Sequence, residues 1–161
     1  MKRLILIRHG KSSWNNNFPD HKRPLKKRAY NDAEVVLNAF QHFYQGGAHF
    51  WTSYAVRAHE TAKLFKKRLQ VPDADFEIKE ELYTFNQNEQ LSNIRSYSGD
   101  KDQLVIFAHN PALTILVNYL GDKEIDNLPT TGLCVIDFET DSWNEIRNGK
   151  TILTLFPKNL R

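Results

Sequence analysis

The sequence has little of what holds small secreted folds together. Its one cysteine, Cys134, lies in the apolar stretch LCVIDF, so no intramolecular disulfide can form and a reducing compartment is the easier setting. One cysteine also cannot build a cysteine-based metal cluster. Long hydrophobic runs are missing as well. The opening MKRLILIRHG puts two basic residues before an apolar run, but that run is only residues 4–7, far short of a secretory core or of the roughly 20 apolar residues needed to cross a bilayer. We therefore expect a cytoplasmic protein with no membrane partner. Charge of one sign is scarce too: 22 Lys and Arg against 19 Asp and Glu leave a net charge of +3. That balance suits anionic substrates and is too weak to indicate nucleic acid. The aromatic residues match no RNA-binding sheet motif, and repeats, linkers and low-complexity tracts are absent.

What is there is a globular composition, 40% hydrophobic and 25% charged over 161 residues, enough for one domain spanning 1–161 with a real core. Strand signals fall at residues 4–7, 50–53, 76–79, 104–108, 133–138 and 151–156, and helical periodicity fits 32–44, 56–69, 89–96 and 111–120. Such alternation predicts an α/β sandwich with a mostly parallel central sheet. The last two strands are separated by residues 141–150, too few for a helical crossover, so an antiparallel element is expected at the C-terminal end. Residues 15–28, NNNFPDHKRPLKKR, are the longest irregular stretch. Their five basic side chains between Lys22 and Arg28 make either a solvated loop or a positive rim that steers an acidic substrate.

Three segments share one design. The run LILI ends at Arg8-His9-Gly10; the strand at 50–53 leads into Arg57 in the first turn of a helix; and Ile106-Phe107-Ala108 leads into His109-Asn110-Pro111. There Asn110 suits an N-cap and Pro111 a first helical position, where its missing N–H is harmless. In an open α/β sheet, side chains at the carboxyl ends of neighbouring strands converge on one crevice, beside helix N-termini with free N–H groups. Arg8, His9, Arg57 and His109 are thus predicted to meet. Two forked guanidiniums and two imidazoles suit a dianionic phosphoryl group, and the fixed positive charge disfavours a metal ion, so no metal or cofactor is expected.

The Arg-His-Gly at 8–10, the Ser53-x-x-x-Arg57-Ala58 with Thr61-Ala62 after it, and the strand ending in His109-Asn110-Pro111 resemble the histidine phosphatase superfamily, of phosphoglycerate mutase-like fold. The short chain, the segment from Asp20 to Arg23-Pro24-Leu25, and Leu82-Tyr83 are most similar to its small branch of SixA-type phosphohistidine phosphatases. The resemblance implies a three-layer α/β/α sandwich and a covalent phosphohistidine on His9, formed from phosphohistidine on a protein and then hydrolysed by water. It implies that Arg8, Arg57 and His109 hold the phosphoryl oxygens, with Gly10, Asn15 and Asn110 contacting substrate. An imidazole nucleophile must be neutral, and nearby guanidiniums favour that state. Gly10 would leave room for backbone to approach phosphate.

Two positions depart from the family pattern. Larger relatives carry a glutamate as general acid two residues after a leucine, where this chain has Thr84 after Leu82. A phosphoramidate needs less help from an acid than an alkyl phosphate, which favours phosphohistidine; Asp20, Glu80 and Glu81 stand as alternative proton donors. Ala29 occupies a position where the small branch often has glycine. The chain also lacks the insertions that form a lid in larger relatives, so an open groove is expected; the partner expected is a phosphorylated protein or a small phosphorylated substrate, and the enzyme is expected to be a monomer. The competing readings are a small phosphomonoester phosphatase and a catalytically silent phosphate-binding adaptor. His21, His42, His49 and His59 are read as structural or exposed, Trp14 as packing on its loop, and Thr130-Thr131-Gly132 as a turn that could line the crevice.

Overall fold

The computed structural model describes residues 1–14 and 17–161. Six strands form one sheet: β1 (Lys2–Arg8), β2 (Ala48–Thr52), β3 (Phe76–Ile78), β4 (Gln103–Ala108), β5 (Leu133–Phe138) and β6 (Lys150–Leu155). Four α-helices join them: α1 (Lys27–Phe43), α2 (Val56–Leu69), α3 (Gln87–Arg95) and α4 (Ala112–Leu120). The sheet order is β3-β2-β4-β1-β5-β6. The first four of these strands are mutually parallel, and β5 runs antiparallel to both β1 and β6. The predicted antiparallel C-terminal element is therefore a β5–β6 pair, joined through the short turn Trp143–Glu145.

Alternation along β1 explains the layers. Leu4 and Leu6 point into a core shared with Leu91 and Ile94 of α3 and Leu113, Leu116 and Val117 of α4. Ile5 and Ile7 point to the opposite face, against Val36 and Phe40 of α1 and Phe65 of α2. All four strand residues are fully buried, as a period of two requires when helices cover both faces of a sheet. Each such side chain contributes about 1.5–3 kcal/mol by leaving water. Among the described residues, no helix is long and apolar enough to cross a membrane.

Helix starts moved most relative to expectation. α1 begins at Lys27 rather than 32, because the Lys27-Arg28-Ala29 run consists of good helix formers once Pro24 is passed. The basic stretch is thus partly helical. α3 begins at Gln87, where Asn86 caps it by accepting a hydrogen bond from the Glu89 N–H at 3.0 Å. At α4, Asn110 Oδ1 accepts from the Thr114 N–H (3.1 Å) and hydroxyl (3.0 Å), so it caps the helix from one residue further out than predicted.

The sheet order decides where the chemistry sits. β4 lies between β1 and β2, so the residues just beyond three parallel carboxyl ends are neighbours. The His9 N–H bonds to the Ala108 carbonyl (3.2 Å) and the Ser53 N–H to the Phe107 carbonyl (3.0 Å). The turn before β5 closes the same edge, with the Thr131 N–H donating to the Arg8 and His9 carbonyls at 3.0 and 3.1 Å.

Candidate active site

At this edge a cleft of about 330 Å³ is lined by residues that include Arg8, His9, Asp20, Arg23, Arg57 and Asn110. Arg57 is only 2% exposed and places each guanidinium nitrogen. Its Nε lies 3.3 Å from His9 Nε2, Nη1 donates to the Asp20 carbonyl at 2.7 Å, and Nη2 to the Asp20 carboxylate at 3.0 Å. A guanidinium only donates, so His9 Nε2 accepts and carries a lone pair. The proton then sits on Nδ1, which donates to the Gly10 carbonyl at 2.8 Å. Burial, followed by the charges of Arg57, Arg8 and Arg23, holds the His9 pKa down at about 3 against the opposing pull of the Gly10 bond. His9 is a neutral imidazole of defined tautomer at neutral pH.

His109 lies behind it, fully buried, its ring centroid 5.3 Å from that of His9. Burial first, then His9 and Arg57, depress its pKa to about 2. Its Nε2 pairs with the Ser53 hydroxyl at 2.8 Å; Nδ1 is buried with no hydrogen-bond partner among the described residues, as is Arg8 Nε. Arg8 Nη1 donates to the Leu128 carbonyl at 3.1 Å, and burial and the nearby Arg57 charge lower its pKa.

Asp20 organises the opposite wall. Besides Arg57, its carboxylate accepts from Arg23 Nε at 3.1 Å and from the Tyr83 hydroxyl. The Tyr83 and arginine hydrogen bonds outweigh desolvation and hold its pKa at about 2. Desolvation and the Asp20 charge push Tyr83 up to about 12, so its hydroxyl stays a donor. Arg23 is itself buried, with Nη1 donating to the Ser12 hydroxyl at 2.8 Å and the Ser13 carbonyl at 3.1 Å.

The structure therefore brings Arg8, His9, Arg57 and His109 together as the spacing predicted, and it revises their neighbours. The space over Gly10 Cα is taken by protein: an added Cβ would lie 2.8 Å from Ala29 Cβ and 3.2 Å from Leu25. Its glycine serves the approach of α1, and its N–H bonds to Thr61 Oγ1 at 2.9 Å. Ala29, on that helix, fits by being small. Asn110 lines the cleft, but its amide is engaged: Nδ2 donates to Asn127 Oδ1 and the Leu128 carbonyl, both at 3.0 Å, and Oδ1 caps α4. It shapes the wall. Asn15 lies outside the described residues. Of the five basic residues from Lys22 to Arg28, Arg23 is an internal ion-pair partner and the others are exposed. Trp14 is 72% exposed, stacked under the Arg23 guanidinium at 3.8 Å, and lines the cleft with Phe85 and Thr130. Glu80 and Glu81 are exposed on the turn Glu80–Leu82 and do not line it. Tyr83 and Ser53 belong to this constellation by contact, and no local pattern marks Tyr83 as a partner of a residue 63 positions away. Among the described residues no group of three or more His, Cys, Asp or Glu is placed to hold a metal ion.

Comparison with known proteins gives a family and a fold. A family model described as histidine phosphatase superfamily (branch 1) matches residues 4–87, the stretch that carries Arg8, His9, Asp20, Arg57 and Tyr83. No curated protein matches the sequence. Among solved structures, the protein histidine phosphatase SixA complexed with tungstate superposes with a TM-score of 0.81 at 18% identity, over 99% of both chains. A protein of Agrobacterium tumefaciens described as a phosphohistidine phosphatase SixA gives 0.77 at 22% identity, over 96% of this chain and 97% of that one. A mycobacterial glucosyl-3-phosphoglycerate phosphatase gives 0.64 at 10% identity, over 95% and 98%. These likenesses are of fold: a phosphoglycerate mutase-like α/β sandwich.

Proposed function

The chain belongs to the histidine phosphatase superfamily, and on that footing we propose that it is a phosphohistidine phosphatase in which His9 is the nucleophile. Nε2 of His9 attacks phosphorus as the bond from phosphorus to the substrate nitrogen breaks, and the electron pair of that bond leaves with the substrate imidazole, which is protonated on its other ring nitrogen and so departs neutral. Water then attacks the phosphorus on His9 and releases orthophosphate, returning the lone pair to Nε2. Arg8 and Arg57 draw the phosphoryl charge, and the unpartnered Arg8 Nε and His109 Nδ1 are donors for its oxygens. The Ser53 hydroxyl, by donating to His109 Nε2, would keep the proton on Nδ1.

The observation that carries the choice of substrate is the state of Asp20. It is the one carboxylate among the described residues lining the cleft, and with a pKa of about 2 it has no proton to give at neutral pH. An alkoxide leaving group requires an acid in the cleft, whereas an imidazole that carries a proton on its other ring nitrogen leaves neutral without one, so the site favours a phosphoramidate over an alkyl phosphate. Asp20 is in this reading a holder of Arg57, and the alternative donors Glu80 and Glu81 stand outside the cleft. The whole chain acts as one catalytic unit on phosphorylated protein side chains, which an open cleft admits.

The test is a comparison of rates on a phosphohistidine peptide, a phosphoserine peptide and a sugar phosphate, with a chelator present. Phosphohistidine turnover far above the other two, with an acid-labile, alkali-stable phosphate trapped on the wild type and none on His9→Ala, is the expected result. Preferential hydrolysis of the esters would move the assignment to a phosphomonoester phosphatase. Phosphate binding without any trapped label would make the protein a binding module.

A further inference from the structure

Two aromatic side chains at the cleft mouth have no part in the chemistry above. Trp14 is 72% exposed and Phe85 46%, which is wasteful for residues of their size unless something covers them. Both line the same cleft as His9 and Arg57. Neither is loose. Arg23, itself buried and tied to Asp20 and Ser12, lies 3.8 Å over the Trp14 ring. Phe85 packs edge-on against Tyr83 and His109, with centroids 5.6 and 5.5 Å apart. The second of these contacts leaves Phe85 one ring, that of His109, away from His9.

We propose that Trp14 and Phe85 are specificity residues that recognise a planar aromatic leaving group. The inference rests on the reading of His9 as the nucleophile. In-line displacement sends the leaving group away from the attacking atom. His9 is buried at the cleft floor, so that direction is outward, past the two rings. A flat imidazole gains stacking area there, and any positive charge it acquires is attracted to ring faces. A polyol or an aliphatic hydroxyl gains little from either wall.

The experiment compares two phosphoryl donors that share a P–N bond and differ in the ring: a phosphohistidine peptide and simple phosphoramidate. kcat/KM is measured for the wild type, Trp14→Leu and Phe85→Leu. Each substitution is expected to reduce kcat/KM on the phosphohistidine peptide about tenfold, the scale of one lost stacking contact, and to leave phosphoramidate within about twofold. Retained phosphoramidate turnover shows that the variants are folded. Equal losses on both donors, or no loss on either, would overturn the specificity role and leave the phosphatase intact. Wild-type protein that cleaves neither donor would sink the nucleophile assignment and this inference together.

Discussion

The Nε–H of Arg57 is aimed at the lone pair of His9 Nε2 across 3.3 Å. This contact keeps the imidazole in a single tautomer, and it also covers the atom proposed to attack phosphorus. A phosphoryl oxygen is a better acceptor for that N–H than a ring nitrogen. Substrate binding would therefore draw Arg57 Nε off the nucleophile at the moment the nucleophile is needed, while both Nη atoms remain anchored on Asp20.

Arg57→Lys should reduce kcat/KM by about a hundredfold or more. An ammonium keeps the charge but cannot reach His9, the Asp20 carbonyl and the Asp20 carboxylate together. Steady-state kinetics with phosphohistidine peptide would show it, and wild-type rates in the lysine variant would mean that charge alone suffices.

Replacing Asp20 by Asn should lower kcat about tenfold through loss of the Arg57 anchor. Removal of a negative charge from the cleft should leave inhibition by orthophosphate as strong or stronger. The pair of outcomes separates positioning from damage: a misfolded variant would lose phosphate affinity along with turnover. Tyr83→Phe, which removes one of the bonds to the carboxylate, should behave likewise and more mildly.

Gly10→Ala should destabilise the protein by about 1–3 kcal/mol, the range for overpacking a tight site. Its Cβ would meet Ala29 Cβ at 2.8 Å, between two elements that cannot both retreat. A urea midpoint equal to that of the wild type would contradict this account of why glycine follows His9.

The buried imidazoles also set an acid limit on stability. His9 and His109 have folded pKa values of about 3 and about 2, below the usual histidine value of about 6.5 in an unfolded chain. Between these limits the unfolded state binds more protons, so stability is full above about pH 6.5 and declines as the pH falls toward 3. Asp20, with a folded pKa of about 2 against an ordinary value of about 3.9, adds a loss of the same sign below about pH 4. Thermal melts from pH 8 to pH 4 should show a falling midpoint, and His109→Gln should flatten the slope. Activity behaves differently in the upper part of this range. His9 remains neutral and nucleophilic, so kcat/KM should hold from pH 8 to pH 5 once the ionisation of the substrate is taken into account.

The strands and helices were legible because their signals are local. Leu4 to Ile7 read as buried on both faces, and the structure sends alternate residues into two cores. Asn86 and Lys27 show where that reading stops short, since a cap and a basic first turn carry no hydrophobic period. Arg8, His9, Arg57 and His109 could be foreseen as neighbours because each follows a strand, and parallel strands put their carboxyl ends on one edge. Gly10 and Asn110 were legible as positions, and Asn110 also as a cap of α4, but the packing of Ala29 over Gly10 and the bonds from the Asn110 amide to Asn127 and Leu128 were not, because what fills the space around a residue belongs to other segments.

Sequence alone thus determined the layered α/β architecture, the strand-end placement of the two arginines and two histidines, and the resemblance to a phosphoryl-handling family. All of these follow from residue type and spacing within short windows. The tertiary structure alone decided that Asp20 would be ionised between Arg57, Arg23 and Tyr83, that His9 would be neutral with its lone pair on Nε2, and that Trp14 would stand at the cleft mouth. Those outcomes depend on burial and on contacts between residues dozens of positions apart. Desolvation and charge pairing act through space, and only the packed order of the sheet determines which distant groups lie close enough to feel them.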